Sequence, residues 1–477
     1  MRDSRPPLVV DLDGTLTPTD TLVESVLLLL RLRPWAVLLL PLWLLAGRAS
    51  FKQRVAAEVR LEVGLLPWNA GLLAWLRQEH ASGRRLVLAT AAHESIAQAV
   101  AAELPLFEQV LASAGTVNLK SQAKLAAIRA QVGERFVYAG DSRADLPIWQ
   151  ASAGAVLVGV STRLAQQVQA AGTPIERRFE RPTGRAMTWL RAMRVHQWAK
   201  NLLILVPLFT SFRFAEWPLL AAVALAFVSF SLAASATYLL NDLWDLDNDR
   251  QHPRKKLRPF ASAQLPLQHG VAMAALLLVI AFVLAWQASS SFALMLLGYV
   301  VLTTAYSWSL KHYVLLDVLM LAMLYTYRVL AGSIVTGIAV TPWLLSFSVF
   351  TFFSLALVKR CAELVLLQQG GRKGAHGRDY QVSDLVVLWP LGIGASLCSV
   401  VVFGLYIGSA EALGQYGRTE VLWLVGLGLL YWSARLWIKT ARGEMHDDPL
   451  VFALRDFGSR VTVLAMVLVT VLTHFLH

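Results

Sequence analysis

The chain has 477 residues, 56% of them hydrophobic and 16% charged, with a formal net charge of +12. That balance is too apolar for a soluble protein of this size and reads as an integral membrane protein. Its two cysteines, Cys361 and Cys398, sit in apolar surroundings and leave no disulfide framework or cysteine zinc site.

Apolar runs crowd into the region after about Asn201, whereas residues 1–185 mix apolar and charged residues more evenly. Two parts are therefore expected, a soluble N-terminal domain and a helical membrane domain. The chain runs from Arg5-Pro6-Pro7 straight into Leu8-Val9-Val10, and no signal peptide is expected. Leu8-Val9-Val10 reads as a short buried strand ending in Asp11-Leu12-Asp13-Gly14-Thr15. Ligands bind beyond the carboxyl ends of parallel strands, so Asp11 and Asp13 would stand at such an edge. Three later stretches continue this layout. Arg85-Leu86-Val87-Leu88-Ala89 ends at Thr90. Lys120 and Lys124 open an amphipathic helix through Ile128. Arg135-Phe136-Val137-Tyr138-Ala139 ends in Gly140-Asp141-Ser142-Arg143-Ala144-Asp145.

In this order the pieces resemble the motifs of the haloacid dehalogenase (HAD) phosphohydrolases, over roughly residues 8–165. The resemblance implies an α/β HAD-like domain over 1–165, a Rossmann-type parallel sheet with a helical cap at about 20–80. It makes Asp11 the nucleophile that forms an aspartyl-phosphate and Asp13 the acid/base. Thr90 would hydrogen-bond the phosphoryl oxygens, and Lys124, with Lys120 as a substitute, would neutralise the transferring group. Asp141 would hold Mg²⁺ with Asp11 and the Asp13 carbonyl, supported by Asp145. Phosphoryl transfer is mainly positioning and charge neutralisation, which these residue types supply.

Between the first two motifs, residues 26–46 are almost wholly apolar but broken by Arg31, Arg33 and Pro34. Each half is too short to span a bilayer. The expectation is a helical cap whose apolar surface lies on the membrane or against the second domain. Residues 166–194 read as a linker made basic by Arg178, Arg181, Arg185, Arg191 and Arg194, which suits anionic lipid. No nucleic-acid partner is expected.

Residues 195–477 hold nine apolar segments: roughly 201–212, 217–240, 268–288, 291–308, 314–332, 342–367, 384–407, 420–438 and 457–475. The first is short and contains Pro207; the others have spanning length. With a cytoplasmic N-terminal domain, the loops on that side carry Arg250, Arg254, Lys255, Lys256, Arg258, Lys311, Lys359, Arg360, Arg372, Lys373, Arg378, Arg435, Lys439, Arg442, Arg455 and Arg460. Only Arg213 and Arg418 stand opposite. This positive-inside bias predicts a multi-pass protein of the inner (plasma) membrane, with the first domain and the acidic loops cytoplasmic.

No charge interrupts residues 218–240; then Asn241-Asp242-Leu243-Trp244-Asp245-Leu246-Asp247-Asn248-Asp249-Arg250 places four carboxylates in eight residues. On a helix, Asp242, Asp245 and Asp249 fall at i, i+3 and i+7 and share one face. Like charges packed that way call for a cation, and hard oxygen ligands suit Mg²⁺. The following Pro253-Arg254-Lys255-Lys256-Leu257-Arg258-Pro259 can hold phosphate oxygens. Further polar positions share that membrane face: Lys200 and Asn201, costly in a span unless used; Tyr306 and Lys311; Asp317 and Arg328, expected to line one groove; Lys359, Arg360 and Glu363; Arg378 and Tyr380; and Met445-His446-Asp447-Asp448-Pro449 with Arg455, Asp456 and Arg460.

Asn-Asp-x-x-Asp-x-x-x-Asp at the cytoplasmic end of a membrane helix resembles the first signature of the UbiA superfamily of intramembrane prenyltransferases, which implies an all-α domain of about nine transmembrane helices. The family's second signature, Asp-x-x-x-Asp, is departed from, because Leu321 stands four residues after Asp317. The wording from Arg194 to Asn201, Tyr306 to His312, Arg328 to Gly332 and Lys359 to Leu364, with the late Asp-Asp-Pro, resembles the decaprenyl-phosphate phosphoribosyltransferase branch over about 187–475. That implies transfer of phosphoribosyl from phosphoribosyl diphosphate to a polyprenyl phosphate. Asp242, Asp245 and Asp249 would carry Mg²⁺, the first two being catalytic. Lys200, Asn201, Asn241, Tyr306, Lys311, Asp317, Arg328, Lys359 and Arg360 would bind substrate, and the HAD-like domain would remove the 5-phosphate of the product. Two other readings stay open. One is a UbiA-type aromatic prenyltransferase joining a polyprenyl diphosphate to an acceptor such as 4-hydroxybenzoate. The other is a transporter or lipid-binding membrane protein with a regulatory HAD module. Homo-oligomerisation is left open.

Overall fold

The structure, a computed structural model, describes residues 5–115, 117–180, 185–371, 378–445 and 448–475, with the Arg185 side chain excepted. Arg181, the Arg185 side chain, Arg372, Lys373, His446 and Asp447 therefore lie outside what is described. The chain falls into two compact units, Met1–Met193 with Tyr238–Ala274, and Arg194–Thr237 with Ala275–His477.

In the first unit six parallel strands form one sheet in the order β3-β2-β1-β4-β5-β6. They are β1 Leu8–Val10, β2 Leu86–His93, β3 Gln109–Ser113, β4 Val137–Gly140, β5 Gly154–Val158 and β6 Ile175–Phe179. Alternation along β1 feeds two cores. Leu8 and Val10 pack with Leu72, Leu76, Leu88 and Val100, whereas Val9 packs with Val87, Phe136, Tyr138 and Trp149. Helices covering both faces explain why β1 carries no polar residue until Asp11. The sheet grows from β1 in both directions, through β2 and β4, and the crevice beyond that switch of direction is where such sheets bind ligands.

Two boundaries differ from expectation. β2 runs through Thr90 to His93, with its pairing to β3 irregular between Ala89 and His93. Lys120 precedes its helix, which spans Gln122–Gln131. The stretch read as a linker also supplies structure: the helix Thr162–Ala170, then β6, then the helix Arg185–Ala192. β6 is an edge strand, Ile-Glu-Arg-Arg-Phe, whose charged centre disguises it. Arg177 stacks 5.7 Å above the Trp75 ring and 5.5 Å above Phe179.

The expected cap is helical. It comprises α1 Thr21–Leu32, a 3₁₀ turn Pro34–Leu38, α2 Leu40–Leu45 and α3 Arg48–Glu58. Asp20 caps α1, its carboxylate accepting from Leu22 N and Val23 N. Leu29, Ala36, Val55 and Val59 give the cap a small core of its own.

Among the described residues seven helices are long and apolar enough to cross a membrane: Trp217–Trp244, Leu267–Ala288, Ser290–Trp308, Leu316–Thr336, Val382–Ile407, Thr419–Ala441 and Phe457–Phe475. A further helix of 28 residues, Pro342–Gln369, carries Lys359, Arg360 and Glu363. The segment expected at 201–212 is not one α-helix. It is a 3₁₀ stretch, Val195–Leu205, followed by the single turn Val206–Thr210 with Pro207 near its start. In the second unit Gly332 lets backbones meet, since a Cβ there would stand 2.0 Å from Ile204 O.

Candidate functional sites

The first site lies beyond the ends of β1 and β4. Asp11 directly follows β1, and its carboxylate accepts from Leu12 N at 2.8 Å and pairs with Lys124 Nζ at 2.8 Å. Lys124 Nζ also donates to the Tyr138 hydroxyl at 3.0 Å, which donates to Asp145 Oδ1 at 3.0 Å and lies 3.4 Å from Asp11 Oδ2. Asp145 Oδ2 accepts from Asp141 N at 3.2 Å and Ser142 N at 3.1 Å. Thr90, fully buried, accepts from Ala92 N at 3.0 Å. Asp13 turns its carboxylate to Thr21 N at 2.8 Å, which ties it to the start of α1. Burial raises the Asp11 carboxyl above the usual range although Lys124 opposes it. Burial, reinforced by Asp20, pushes Asp13 up to about 7.

Asp11, Asp141 and Asp145 bring one carboxylate oxygen each within 4.8 Å of one another, the one such group among the described residues. A set of hard oxygens at that spacing fits Mg²⁺. The turn is shaped to it: Gly14 has φ +76°, and a Cβ there would fall 2.2 Å from Asp141 Oδ2. A cavity of about 490 Å³ opens over these groups, with Lys52, Arg48, Lys120 and His93 on its wall. Lys120 is exposed, whereas Lys124 is the lysine that holds the ion pair with Asp11.

The second candidate is the acidic stretch after the helix Trp217–Trp244. The helix breaks at Asp245 and resumes as Leu246–Gln251. Asp245 N bonds Asn241 O, and Asp249 N bonds Asp245 O, both at 2.9 Å. Asp242 and Asp249, both buried, share Arg258 Nη1 at 3.1 and 2.6 Å. The cation among these carboxylates is thus an arginine, and the three aspartates do not gather as tightly as the group around Asp11. Burial raises the Asp249 carboxyl against the pull of Arg258. Two other charges of this stretch reach the cap: Arg250 forms a bidentate pair with Glu24 at 2.6 and 2.7 Å, and Asp247 meets Arg31 at 3.1 Å.

The second unit holds three buried polar groupings. Asp317 pairs with Arg360 at 2.7 Å, both fully buried, and accepts from the Tyr306 hydroxyl at 2.7 Å. Arg360 also touches Glu363, which Arg378 meets at 3.1 Å. Asp448 takes Lys200 Nζ at 2.7 Å, Lys359 Nζ at 3.6 Å and the Tyr325 hydroxyl at 3.0 Å. Burial acts to raise the Asp448 carboxyl, but Lys359 and Lys200 outweigh it and hold it well below the usual range. Arg328 donates to Asn201 Oδ1 at 2.9 Å and to the Tyr299 hydroxyl at 3.1 Å, between the rings of Phe230, Tyr299 and Tyr325. Asp317 and Arg328 do not meet; each has its own partners. Lys311 is half-buried on the turn Leu310–His312.

The family model for the UbiA prenyltransferase family matches residues 203–457. The chain belongs to that family. The model for haloacid dehalogenase-like hydrolases matches residues 8–150, so the UbiA-family domain follows a HAD-like one. A Sinorhizobium fredii protein named uncharacterized protein y4nM is 36% identical over 95% of this chain and 88% of its own length. The decaprenyl-phosphate phosphoribosyltransferase of Mycolicibacterium smegmatis is 32% identical over 58% of this chain and 89% of its own. Among solved structures, a UbiA homolog from Archaeoglobus fulgidus bound to GPP and Mg²⁺ is similar with a TM-score of 0.46 and 16% identity, over 59% of this chain and 99% of that one.

Sequence reasoning about the UbiA-family and HAD-like parts missed several groups. Tyr138 reads as an ordinary strand aromatic until Lys124 and Asp145 are placed on it. Asp448 was noted only within its motif, yet two lysines converge on it. Lys52, on α3, donates to Ala91 O at 2.6 Å and Asn118 Oδ1 at 2.9 Å, and nothing in its surroundings in sequence marks it.

Proposed function

We propose that the UbiA-family domain transfers a phosphoribosyl group from phosphoribosyl diphosphate to a polyprenyl phosphate, and that the HAD-like domain then removes the 5-phosphate of the lipid-linked product. The observation that carries this reading is the balance of charge around Asp317 and Asp448. No second carboxylate stands at 321, Asp317 is matched by Arg360, and Lys200 and Lys359 converge on Asp448. Two phosphorylated reactants call for more cations and fewer carboxylates than one prenyl diphosphate does. The similarity to decaprenyl-phosphate phosphoribosyltransferases supports it, and both domains would work on the cytoplasmic side.

In the transfer, a phosphate oxygen of the lipid attacks the anomeric carbon while the bond to diphosphate breaks and its electron pair leaves with the diphosphate. Mg²⁺ held by Asp242, Asp245 and Asp249 would neutralise that leaving group. Arg258 already meets two of these carboxylates and would exchange them for phosphate oxygens. Lys200, Lys311, Arg328, Lys359 and Arg360 hold the remaining phosphate charge, with Asn201, Asn241, Tyr306 and Asp317 orienting the substrate. In the phosphatase, Asp11 attacks the 5-phosphorus and Asp13 gives a proton to the departing ribose oxygen. Asp13 then takes a proton from the water that attacks the aspartyl-phosphate, which frees inorganic phosphate and restores Asp11. Lys124 and Thr90 carry the phosphoryl oxygens, and Asp11 and Asp141, with the Asp13 carbonyl, would hold Mg²⁺ there.

The test is a product assay in detergent with Mg²⁺, polyprenyl phosphate and radiolabelled phosphoribosyl diphosphate. A labelled lipid that vanishes in Asp245→Asn supports the transfer. Its conversion to the ribosyl form only when Asp11 is intact supports the second step. No labelled lipid, with prenylation of 4-hydroxybenzoate from a polyprenyl diphosphate, overturns the proposal in favour of an aromatic prenyltransferase.

A further inference from the structure

The cap of the HAD-like domain shows apolar side chains on its outside as well as its inside. Leu29, Ala36 and Val55 fill its core, while Leu32, Trp35, Val37, Leu38, Leu42 and Leu45 are 62%, 57%, 52%, 75%, 60% and 85% exposed. Single exposed leucines are ordinary, but seven large apolar groups on one short segment, Leu44 among them, form a patch that marks a contact surface.

We infer that this segment lies in the headgroup region of the bilayer and makes the HAD-like site selective for phosphomonoesters carried on a lipid; the second half of the inference rests on the phosphatase reading above. The cap's neighbours within its own unit supply the argument. Arg31 and Glu24 of α1 pair with Asp247 and Arg250, which closely follow Trp244, the last residue of a membrane-spanning helix. The cavity over Asp11 is lined by Leu44 and also by Pro266 and Leu267, where the next spanning helix begins. Both anchors are ends of bilayer-crossing helices, so the patch stands at the depth where such helices leave the membrane. Apolar side chains at that depth are buried among lipid headgroups and upper acyl chains, and a tryptophan is at home there. Leu44, itself 56% exposed, belongs both to the patch and to the cavity wall, so an apolar surface leads from the lipid to Asp11. Arg48, which also lines the cavity, suits an anionic headgroup.

The experiment uses the full chain in nanodiscs of phosphatidylcholine and phosphatidylglycerol, with Cys361 and Cys398 replaced by Ser. Bimane is attached at Leu38→Cys, at Leu45→Cys and, as reference, at Glu134→Cys, whose native side chain is 77% exposed near the opposite end of the sheet. Nitroxide lipid labelled near the headgroup is expected to quench the first two and leave the third unchanged. Equal fluorescence with and without nitroxide at both leucine positions overturns the inference; so does shielding from iodide without lipid quenching, which would mean a protein covers the patch. A second arm tests selectivity with the triple variant Leu38→Glu, Leu42→Glu, Leu45→Glu. Hydrolysis of dioleoyl phosphatidic acid in the disc should fall about tenfold or more while p-nitrophenyl phosphate turnover holds. Equal loss on both substrates, or no loss on the lipid, overturns the selectivity. If the parent protein hydrolyses neither, the phosphatase reading falls, while the quenching still decides where the cap lies.

Discussion

Replacing Tyr138 by Phe removes one hydroxyl from the centre of the HAD-like site and little else. That oxygen accepts from Lys124 at 3.0 Å and donates to Asp145 at 3.0 Å. The ring stays in place, fully buried and edge-on to Trp149 at 6.3 Å. A hydrogen bond to a charged group contributes about 1.5–3 kcal/mol, and two are lost. Much of that loss is common to the free enzyme and the transition state, and Lys124 keeps its ion pair with Asp11 at 2.8 Å. What remains is the poorer aim of Lys124 at the transferring phosphoryl group, about 1–2 kcal/mol, or roughly a 5- to 30-fold fall in kcat with little change in KM. The assay is steady-state hydrolysis of p-nitrophenyl phosphate with Mg²⁺ by the purified full chain, with Asp11→Asn as the zero. A kcat within about twofold of the parent refutes the idea that this hydroxyl positions Lys124. A raised KM at constant kcat would assign the hydroxyl to ground-state binding instead.

Gly14→Ala should abolish phosphatase activity and make the HAD-like domain more sensitive to limited proteolysis, because its Cβ would fall 2.2 Å from Asp141 Oδ2 at φ +76°. Wild-type turnover in that variant would show that the turn has room to give. Lys200→Met leaves Asp448 with Lys359 at 3.6 Å as its remaining ion-pair partner among the described residues. The radiolabel-transfer rate should drop about a hundredfold, while p-nitrophenyl phosphate hydrolysis stays at the parent level; parallel loss of both would point to misfolding. Gly332→Ala drives a Cβ to 2.0 Å from Ile204 O, an overpacking that costs about 1–3 kcal/mol. Its half-life in detergent on warming should shorten, and an unchanged half-life would contradict the close approach.

The parts of this fold that were legible in the sequence are those set by local pattern. Leu8-Val9-Val10 followed by Asp11 announces a buried strand ending in a polar turn, and the spans announce themselves by length. Expectations that needed a third dimension fared worse. Asp317 and Arg328 share a helix face, and eleven residues at about 1.5 Å each set them roughly 16 Å apart, so the shared face does not tell which partners each finds. Asp242, Asp245 and Asp249 were expected on one face of a continuous helix, but the helix breaks at Asp245, and the arginine joining Asp242 and Asp249 comes from a loop whose path no periodicity gives. β6 was hidden because an edge strand exposes the charges that make it look like a linker. Tyr138 and Asp448 have local surroundings like those of many core residues; only contacts from distant segments distinguish them.

The pairing of Glu24 with Arg250 joins events that would otherwise be separate. Both side chains are nearly solvent-free, at 2% and 6% exposure, so neither is readily released into water. The same α1 holds Asp13 through the amide of Thr21 at its first turn. One helix therefore touches both the Asp13 carboxylate and the acidic stretch that follows a membrane span. By thermodynamic linkage, a ligand at residues 242–258 that altered phosphate affinity under the cap would have its own affinity altered by bound phosphate by the same factor.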